Sequence, residues 1–464
     1  MDATFPECPG CVAAAAKLAE LERRNAALER RVRELQEALE RLNRSAKRQA
    51  APFSRTLPKT DPKKPGRKPG PDYGTVAFRT PPPQIDEVYE APLPERCPRC
   101  GGTLVETGVA AQYQVEIPRR PMHRQFNVHI GACACCHRRV QGRHELQTSD
   151  ALGCCASQIG PEAQAAVVML NKELGLSQGK ISRFFQMLFG IQLTRGGSCH
   201  IMLRSARRCQ PHYDAIVRRV QSQPWLVPDE TGWRIGGWLA WLHVAVTQVA
   251  TAYLIATERG RKASVLLIGP RYAGTLIHDG WSPYDQFCGA QHQTCLAHLL
   301  RRCHELLEQA RGGAVHFPRK VKGLLGEALA LRDQREAGTL TSPACTQAAD
   351  VLEGRMKKLL HPFKTHPANE RFARHLWNHW HQLFTFLRQP GIDATNYRAE
   401  QAIRPAVVNR KVWGGNRTPT GATAQAILMT ILVTARQNGR EALAFFSRQM
   451  CSIHLLSPPM PEPG

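Results

Sequence analysis

The sequence predicts a multidomain α+β protein. Three observations carry that reading: a leucine heptad near the N-terminus, two close cysteine pairs with 32 residues between them, and β-rich segments after Pro224 followed by a long helical stretch. At 464 residues two to four domains are expected, and 42% hydrophobic residues suffice for packed cores. Lys and Arg number 62 against 38 Asp and Glu, a formal charge of +24 that calls for a polyanionic partner, of which nucleic acid is the commonest. No apolar run reaches the roughly 18 residues of a spanning helix, so no membrane role is expected. MDATFPECPGC has neither a basic nor an apolar leader region, so the 16 cysteines are expected in a reducing cytosol, where close pairs hold metal rather than disulfides.

Residues 1–43 contain LAELERRNAALERRVRELQEALERL, in which Leu18, Leu21, Asn25, Leu28, Val32, Leu35, Leu39 and Leu42 recur at alternating steps of three and four. That period keeps one stripe of a helix turned toward a partner helix, so a coiled-coil dimerisation segment is expected. Asn25 at an a position favours a parallel dimer, and Lys17 and Arg24 at g can meet Glu22 and Glu29 at e of the other chain. Residues 44–94 form a tether. Between Arg44 and Gly70 nine basic residues stand against one acid, a local charge of +8, interleaved with prolines that forbid a packed helix or sheet. Lys63, Lys64, Arg67 and Lys68 are its expected contacts to DNA phosphates, salt-sensitive and blind to base sequence.

Residues 95–150 read as a zinc-ribbon-like module. In Cys97-Pro-Arg-Cys100-Gly two thiolates can chelate one ion, and the glycine permits the tight turn behind them. Cys133 and Cys136 supply the second half, and QYQVEIPRR and FNVHIGAC alternate like two strands. Cys97, Cys100, Cys133 and Cys136 are thus the expected ligands of one structural Zn²⁺, with Cys135 or His137 as substitutes. The Cys8–Cys11 pair has no visible second half. Residues 151–220 read as three helices, PEAQAAVVMLNKEL, ISRFFQMLFG and SCHIMLRSARR, separated by glycine-containing turns. The block suits either a scaffold or a helix-turn-helix reader of DNA.

From residue 221 the character changes. WLVPDETG is a short apolar run ending in Asp229; WRIGG, WLAWLHVAVT and TAYLIATERG follow as a β-meander, then a helix around Lys262 to Ile268, then TLIHDGWSPY, another buried strand ending in Asp279. Two strands that each deliver a carboxylate at their C-terminal end can gather hard oxygen ligands at one sheet edge. Mg²⁺ takes such ligands, and two ions about 4 Å apart serve in-line phosphoryl transfer. A third carboxylate is usually wanted. Residues 305–390 are helical in pattern, so it is sought beyond them, where Glu400 and Asp393 both qualify and spacing does not decide. His375, His379 and His381, with no acid or Cys nearby, read as part of a packed Trp-rich helix rather than as ligands.

The order of these parts resembles a known family: coiled coil, basic Pro/Gly tether, CPRCG with CACC, GPEAQAAVVMLNKELGLS, then DET, HDGWSPY, CLAHLLRR, NYRAEQAIRP and NRKVWGGN. Over nearly the whole chain the sequence resembles the bacterial transposases of the insertion-sequence family numbered 66. The resemblance implies an RNase H-like α/β catalytic core whose first part is 221–304, with a helical insertion at 305–390, a C-terminal part at 391–450 and a tail at 451–464. It implies a DDE triad of Asp229, Asp279 and Glu400, favouring Glu400 over Asp393, that holds two Mg²⁺ or Mn²⁺ ions. The family's Cys-x-x-His element falls on Cys295 and His298, with His298 able to orient a phosphate or carboxylate near the metals. Arg404, Arg410 and Lys411 just beyond Glu400 are natural phosphate contacts.

The implied protein is a DNA transposase of the bacterial cytoplasm and nucleoid. It would bind the terminal inverted repeats of an insertion sequence as a homodimer or higher oligomer, cleave the 3′ end and join it to double-stranded target DNA, with small accessory transposition proteins taking part. Gln401 and Thr395 stand where the family commonly has Arg and Asn. Two other classes are compatible with the residues: a non-catalytic dimeric DNA-binding protein, which would bind ends without cutting, and an RNase H-like nuclease, which would cut without joining.

Overall fold

The computed structural model describes residues 17–32, 34–35, 81–115, 117, 120–153 and 158–451. Cys8, Cys11, Leu39, Leu42, the tether cations Lys63, Lys64, Arg67 and Lys68, and residues 452–464 lie outside the described residues. The chain divides into two compact units, Met1–Arg119 and Arg120–Gly464.

In the first unit residues 17–32 and 34–35 form helix α1, whose Leu18, Leu21, Leu28, Val32 and Leu35 are each exposed by half or more in the single chain. Residues 81–115 carry no helix or strand. The strand expected over QYQVEIPRR is therefore not formed at its described residues; its own unit offers no strand among the described residues to receive its ladder hydrogen bonds. The Cys97–Cys100 turn is closed by Gly101 N–H to Cys97 C=O at 2.8 Å and Cys97 N–H to Gly102 C=O at 3.0 Å.

The second unit begins with a small hairpin, β1 (Ile130–Ala132) antiparallel to β2 (Arg139–Gln141), on either side of Cys133–Cys136. The strand expected over FNVHIGAC thus shrinks to its last few residues, because its partner is the segment directly after the cysteines. Three helices follow: α2 (Pro161–Lys172), α3 (Gln178–Phe189) and α4 (Arg195–Gln221). Their ends are written in the sequence. Pro161 opens α2, the Ser177 hydroxyl accepts from Lys180 N–H at the start of α3, Gly190 ends α3 at φ 66°, and Thr194 caps α4 by accepting from Gly197 N–H.

A five-stranded sheet is the centre of this unit. β3 (Trp225–Ile235), β4 (Trp238–Val246) and β5 (Thr251–Ala256) form the antiparallel meander; after α5 (Arg261–Ile268), β6 (Thr275–His278) and β7 (Gln291–Thr294) add on the other side of β3 in parallel, for a spatial order β5-β4-β3-β6-β7. β3 is longer than its sequence suggests: WLVPDETG and WRIGG are one strand, and Asp229 lies in its middle rather than at its end. Helices α6 (Leu296–Gln309), α7 (His316–Glu336), α8 (Ser342–Leu360), α9 (Pro367–Asn378) and α10 (Thr385–Arg388) separate β7 from α11 (Tyr397–Trp413), and α12 (Pro419–Gln437) and α13 (Ala442–Cys451) finish the fold.

Alternation along β3 sorts the two cores. Val227 and Trp233 point to one face, packed by α6–α11, whereas Leu226 points to the other, packed by α2–α5, α12 and α13. Helix α12 serves both clusters: Met429 joins the first, Leu428 and Ile431 the second, which is why its sequence is apolar all round. Among the described residues no helix is long and apolar enough to cross a membrane.

Candidate active site

The β3–β6 ladder pairs Trp225 with Thr275 and Leu226 with Leu276, and it stops before Pro228, whose nitrogen has no hydrogen to donate. Carrying that register forward by two-residue steps sets Asp229 level with Asp279, each on the Val227/Ile277 face of the sheet. The third acid, Glu400, sits in the first turn of α11, whose buried Ala399 and Ile403 pack in the core on that same face. Burial, together with the charges of Glu230, Asp279 and Glu400, pushes the Asp229 carboxyl up to about 7, against the backbone N–H of Glu230 that favours its ionised form. The three acids thus share one field. Asp393, the competing candidate, is engaged elsewhere, in an ion pair with Arg398.

Backbone hydrogen bonds tie the three supporting elements together. Cys295 N–H donates to His278 C=O at 2.7 Å, Leu296 N–H to Ala394 C=O at 2.9 Å, and Asn396 N–H to the Cys295 sulfur at 3.3 Å. This strap leads from β6, which ends at the residue before Asp279, through the start of α6 to Asn396, the residue just before α11. Buried Cys295 is its knot, and His298 one turn on brings its Nε2 to 3.7 Å from Glu400 Oε1, while its Nδ1 is buried without a hydrogen-bond partner.

Several residues around the acids carry no signal in the sequence. Glu230, beside Asp229 but on the opposite face, has a side chain only 4% accessible; its Oε1 accepts from Arg259 Nη2 at 2.8 Å and Nε at 3.1 Å, and its Oε2 accepts from Tyr284 at 3.1 Å. The Arg259 guanidinium lies 4.6 Å from the Trp241 ring and 4.8 Å from the Trp281 ring. Trp281 in turn gives its backbone N–H to Asp279 Oδ1 at 2.9 Å. One guanidinium therefore braces the neighbours of both strand acids.

Behind β6 runs a histidine chain. Gly280 N–H donates to His278 Nδ1 at 3.1 Å, so His278 carries its proton on Nε2 and passes it toward His292 Nδ1 at 2.9 Å, and His292 Nε2 faces Phe287 C=O at 3.3 Å. Burial, then the neighbouring His292, keeps His278 well below its ordinary range, consistent with this neutral arrangement. His375 approaches as well: a side-chain carbon at Gly280, which has φ +90°, would stand 3.3 Å from its ring. His379 and His381 lie beyond the end of α9 and line a groove of about 870 Å³ with His292 and Arg388; none of the three acids lines it.

Of the expected phosphate contacts, Arg404 and Lys411 are exposed on α11, and Arg410 is half-buried with Nη1 3.5 Å from Thr231 Oγ1. Among the cysteines, backbone N–H groups of Arg99 and Cys100 favour the Cys97 thiolate, and those of Cys136 and Cys135 favour the Cys133 thiolate, lowering both below the ordinary thiol range. Among the described residues no three His, Cys, Asp or Glu side chains are close enough to form a ready metal cage. Comparison with curated proteins returns no match. The family model described as "Transposase IS66 family" matches residues 156–424, more than half of the chain and a span that includes Asp229, Asp279 and Glu400.

Proposed function

Because the chain belongs to the transposase IS66 family, we propose that it binds the terminal inverted repeats of an insertion sequence and catalyses metal-dependent 3′-end cleavage and strand transfer, with Asp229, Asp279 and Glu400 as its acids. The observation that carries this is that Asp229 and Asp279 stand level on one sheet face and that Asp279 and Glu400 both add to the burial that raises the Asp229 carboxyl to about 7. A mixed sheet in which a three-stranded meander meets two parallel strands, with the first and fourth delivering acids side by side, supports the RNase H-like reading.

The donor set fits a hard divalent cation: three carboxylates offer only oxygen, and burial, with the neighbouring acids adding to it, favours the protonated form of Asp229 until a cation compensates. Asp229, Asp279 and Glu400 would hold Mg²⁺ or Mn²⁺, which when bound supplies positive charge to the scissile phosphodiester and to the attacking and leaving oxygens. The chain's own groups do the rest. Arg259 and the Cys295 strap keep the acids in register, His298 orients Glu400, and Arg404, Arg410 and Lys411 hold flanking phosphates. Each Cys-x-x-Cys turn, with backbone N–H groups directed at a sulfur, suits half of a structural Zn²⁺ site formed by Cys97, Cys100, Cys133 and Cys136. The exposed leucine stripe of α1 suits a second copy of the chain, giving a dimer on double-stranded DNA.

The test is direct. Asp229→Ala should abolish Mg²⁺-dependent cleavage and joining of cognate ends while leaving end binding; cutting at the wild-type rate would refute the assignment, and cutting without joining by the wild-type protein would make it a nuclease.

A further inference from the structure

The β3–β4 hairpin runs well past the acids. Six residue steps separate Asp229 from Ile235, about 20 Å of strand, and the chain turns at Gly236 and Gly237, whose φ values of 59° and 89° are those a two-residue hairpin turn requires. Trp238 and Leu239 follow at once, 62% and 55% exposed. Trp238 pairs with Ile235, so strand alternation sets it on the Asp229 face.

The tip is braced by the segment after α11. Gly236 N–H donates to Asn416 C=O at 2.8 Å, Asn416 N–H to Arg234 C=O at 2.9 Å, and Trp233 Nε1–H to Asn416 Oδ1 at 2.7 Å. A side chain at Gly415 would stand 2.5 Å from Arg234 C=O, so this approach needs glycine. Arg234, Arg410 and Arg417 lie along this approach, with Lys411 exposed beside Arg410 on α11, and among the described residues none of the four has a carboxylate within ion-pair distance. Arg234 and Arg410 are near enough for their charges to oppose each other, a repulsion that a bound anion relieves. Glu400, Arg404, Val408 and Lys411 are all exposed and recur at helical spacing, so one face of α11, about 16 Å long, leads from the third acid toward this cluster.

We propose that the hairpin tip and the C-terminal end of α11 form a binding site for a DNA strand end, in which Arg234, Arg410, Lys411 and Arg417 hold phosphates and Trp238 stacks on an unpaired base. An exposed indole beside unneutralised cations matches a ligand that is aromatic and polyanionic at the same place, which is nucleic acid. A second copy of this chain fits worse, since a chain of +24 would bring the same cations to the same surface. The inference takes its substrate class from the transposase reading.

The test uses the full chain and two short DNA duplexes, one blunt and one with a single-stranded 3′ extension carrying 2-aminopurine. Wild-type protein should quench the 2-aminopurine. Trp238→Ala should lose the quenching and bind the tailed duplex about tenfold more weakly, with blunt-duplex affinity unchanged, whereas Trp238→Phe should keep most of both. Arg234→Ala and Arg417→Ala should weaken both duplexes and each reduce the salt dependence by about one counterion. Unchanged quenching and affinity in Trp238→Ala overturn the inference, as does a drop in solution mass, which would assign the tip to subunit contact. Failure of the wild-type protein to bind either duplex would instead remove the transposase reading itself.

Discussion

Asp229 holds its proton because it is buried among other acids, and this has a signed consequence for stability. A raised native pKa means that the folded chain keeps a proton the unfolded chain releases at about pH 4. The stabilisation is therefore complete below that value and falls as pH rises to about 7. Asp229→Asn is expected to raise the unfolding free energy of the metal-free protein above about pH 7, by an amount of order 2 kcal/mol, and to change it little near pH 4; equal shifts at both pH values would refute the burial account. Mg²⁺ should stabilise the wild-type protein more as pH rises through the same interval, because it competes with that proton. Arg259 gives a second residue-scale prediction. Removing it strands the nearly inaccessible Glu230 carboxylate, but the guanidinium is 45% exposed, so solvent screening limits the cost of Arg259→Ala to roughly 1–2 kcal/mol. Cleavage should fall more than stability does, between roughly tenfold and a hundredfold, since misplaced acids lose their alignment. Arg259→Lys keeps the charge but cannot serve both an oxygen fork and two ring faces, so it should restore the unfolding midpoint and not the rate; full recovery of both would reduce Arg259 to a mere charge.

At the scale of elements, the strap that ends in α11 and the glycine beside Asp279 matter most. Gly280 at φ +90° faces the His375 ring, so Gly280→Ala should cost roughly 1–3 kcal/mol and depress cleavage, measured by denaturant unfolding and an end-cleavage assay; an unaltered rate would mean that Asp279 does not depend on this turn. Much at this scale was legible in the sequence. Pro161 marks the start of α2 by local chemistry, and Gly236 and Gly237 mark the turn between β3 and β4, whereas the β4–β5 turn, Thr247–Ala250, holds no glycine. Gly232 misled, because it looks like a break yet lies inside β3 opposite Trp241. The Arg259–Glu230 fork, the approach of His375 to Gly280 and the Cys295–Asn396 bond were not legible, since each joins side chains many positions apart and no periodicity encodes such meetings. Residue spacing left Glu400 and Asp393 equal; only the family resemblance preferred one, and in the fold Asp393 pairs with Arg398 while Glu400 lies 3.7 Å from His298.

For the whole molecule, two predictions concern assembly. Deleting residues 1–43 should lower the number of chains per particle measured by light scattering, because the α1 leucines are exposed in one chain and need another to cover them; an unchanged number would reject the zipper. Purified protein should carry about one Zn²⁺ per chain, lost on Cys97→Ser, and a metal-free preparation with an unaltered melting curve would reject the ribbon. The far position of the last acid has a consequence during synthesis. Glu400 emerges from the ribosome 121 residues after Asp279, and α12, the helix that both cores share, emerges later still. On the proposed triad, a nascent or prematurely terminated chain that has released Asp279 but not yet Glu400 would already expose basic surface while it lacks a complete cleavage centre.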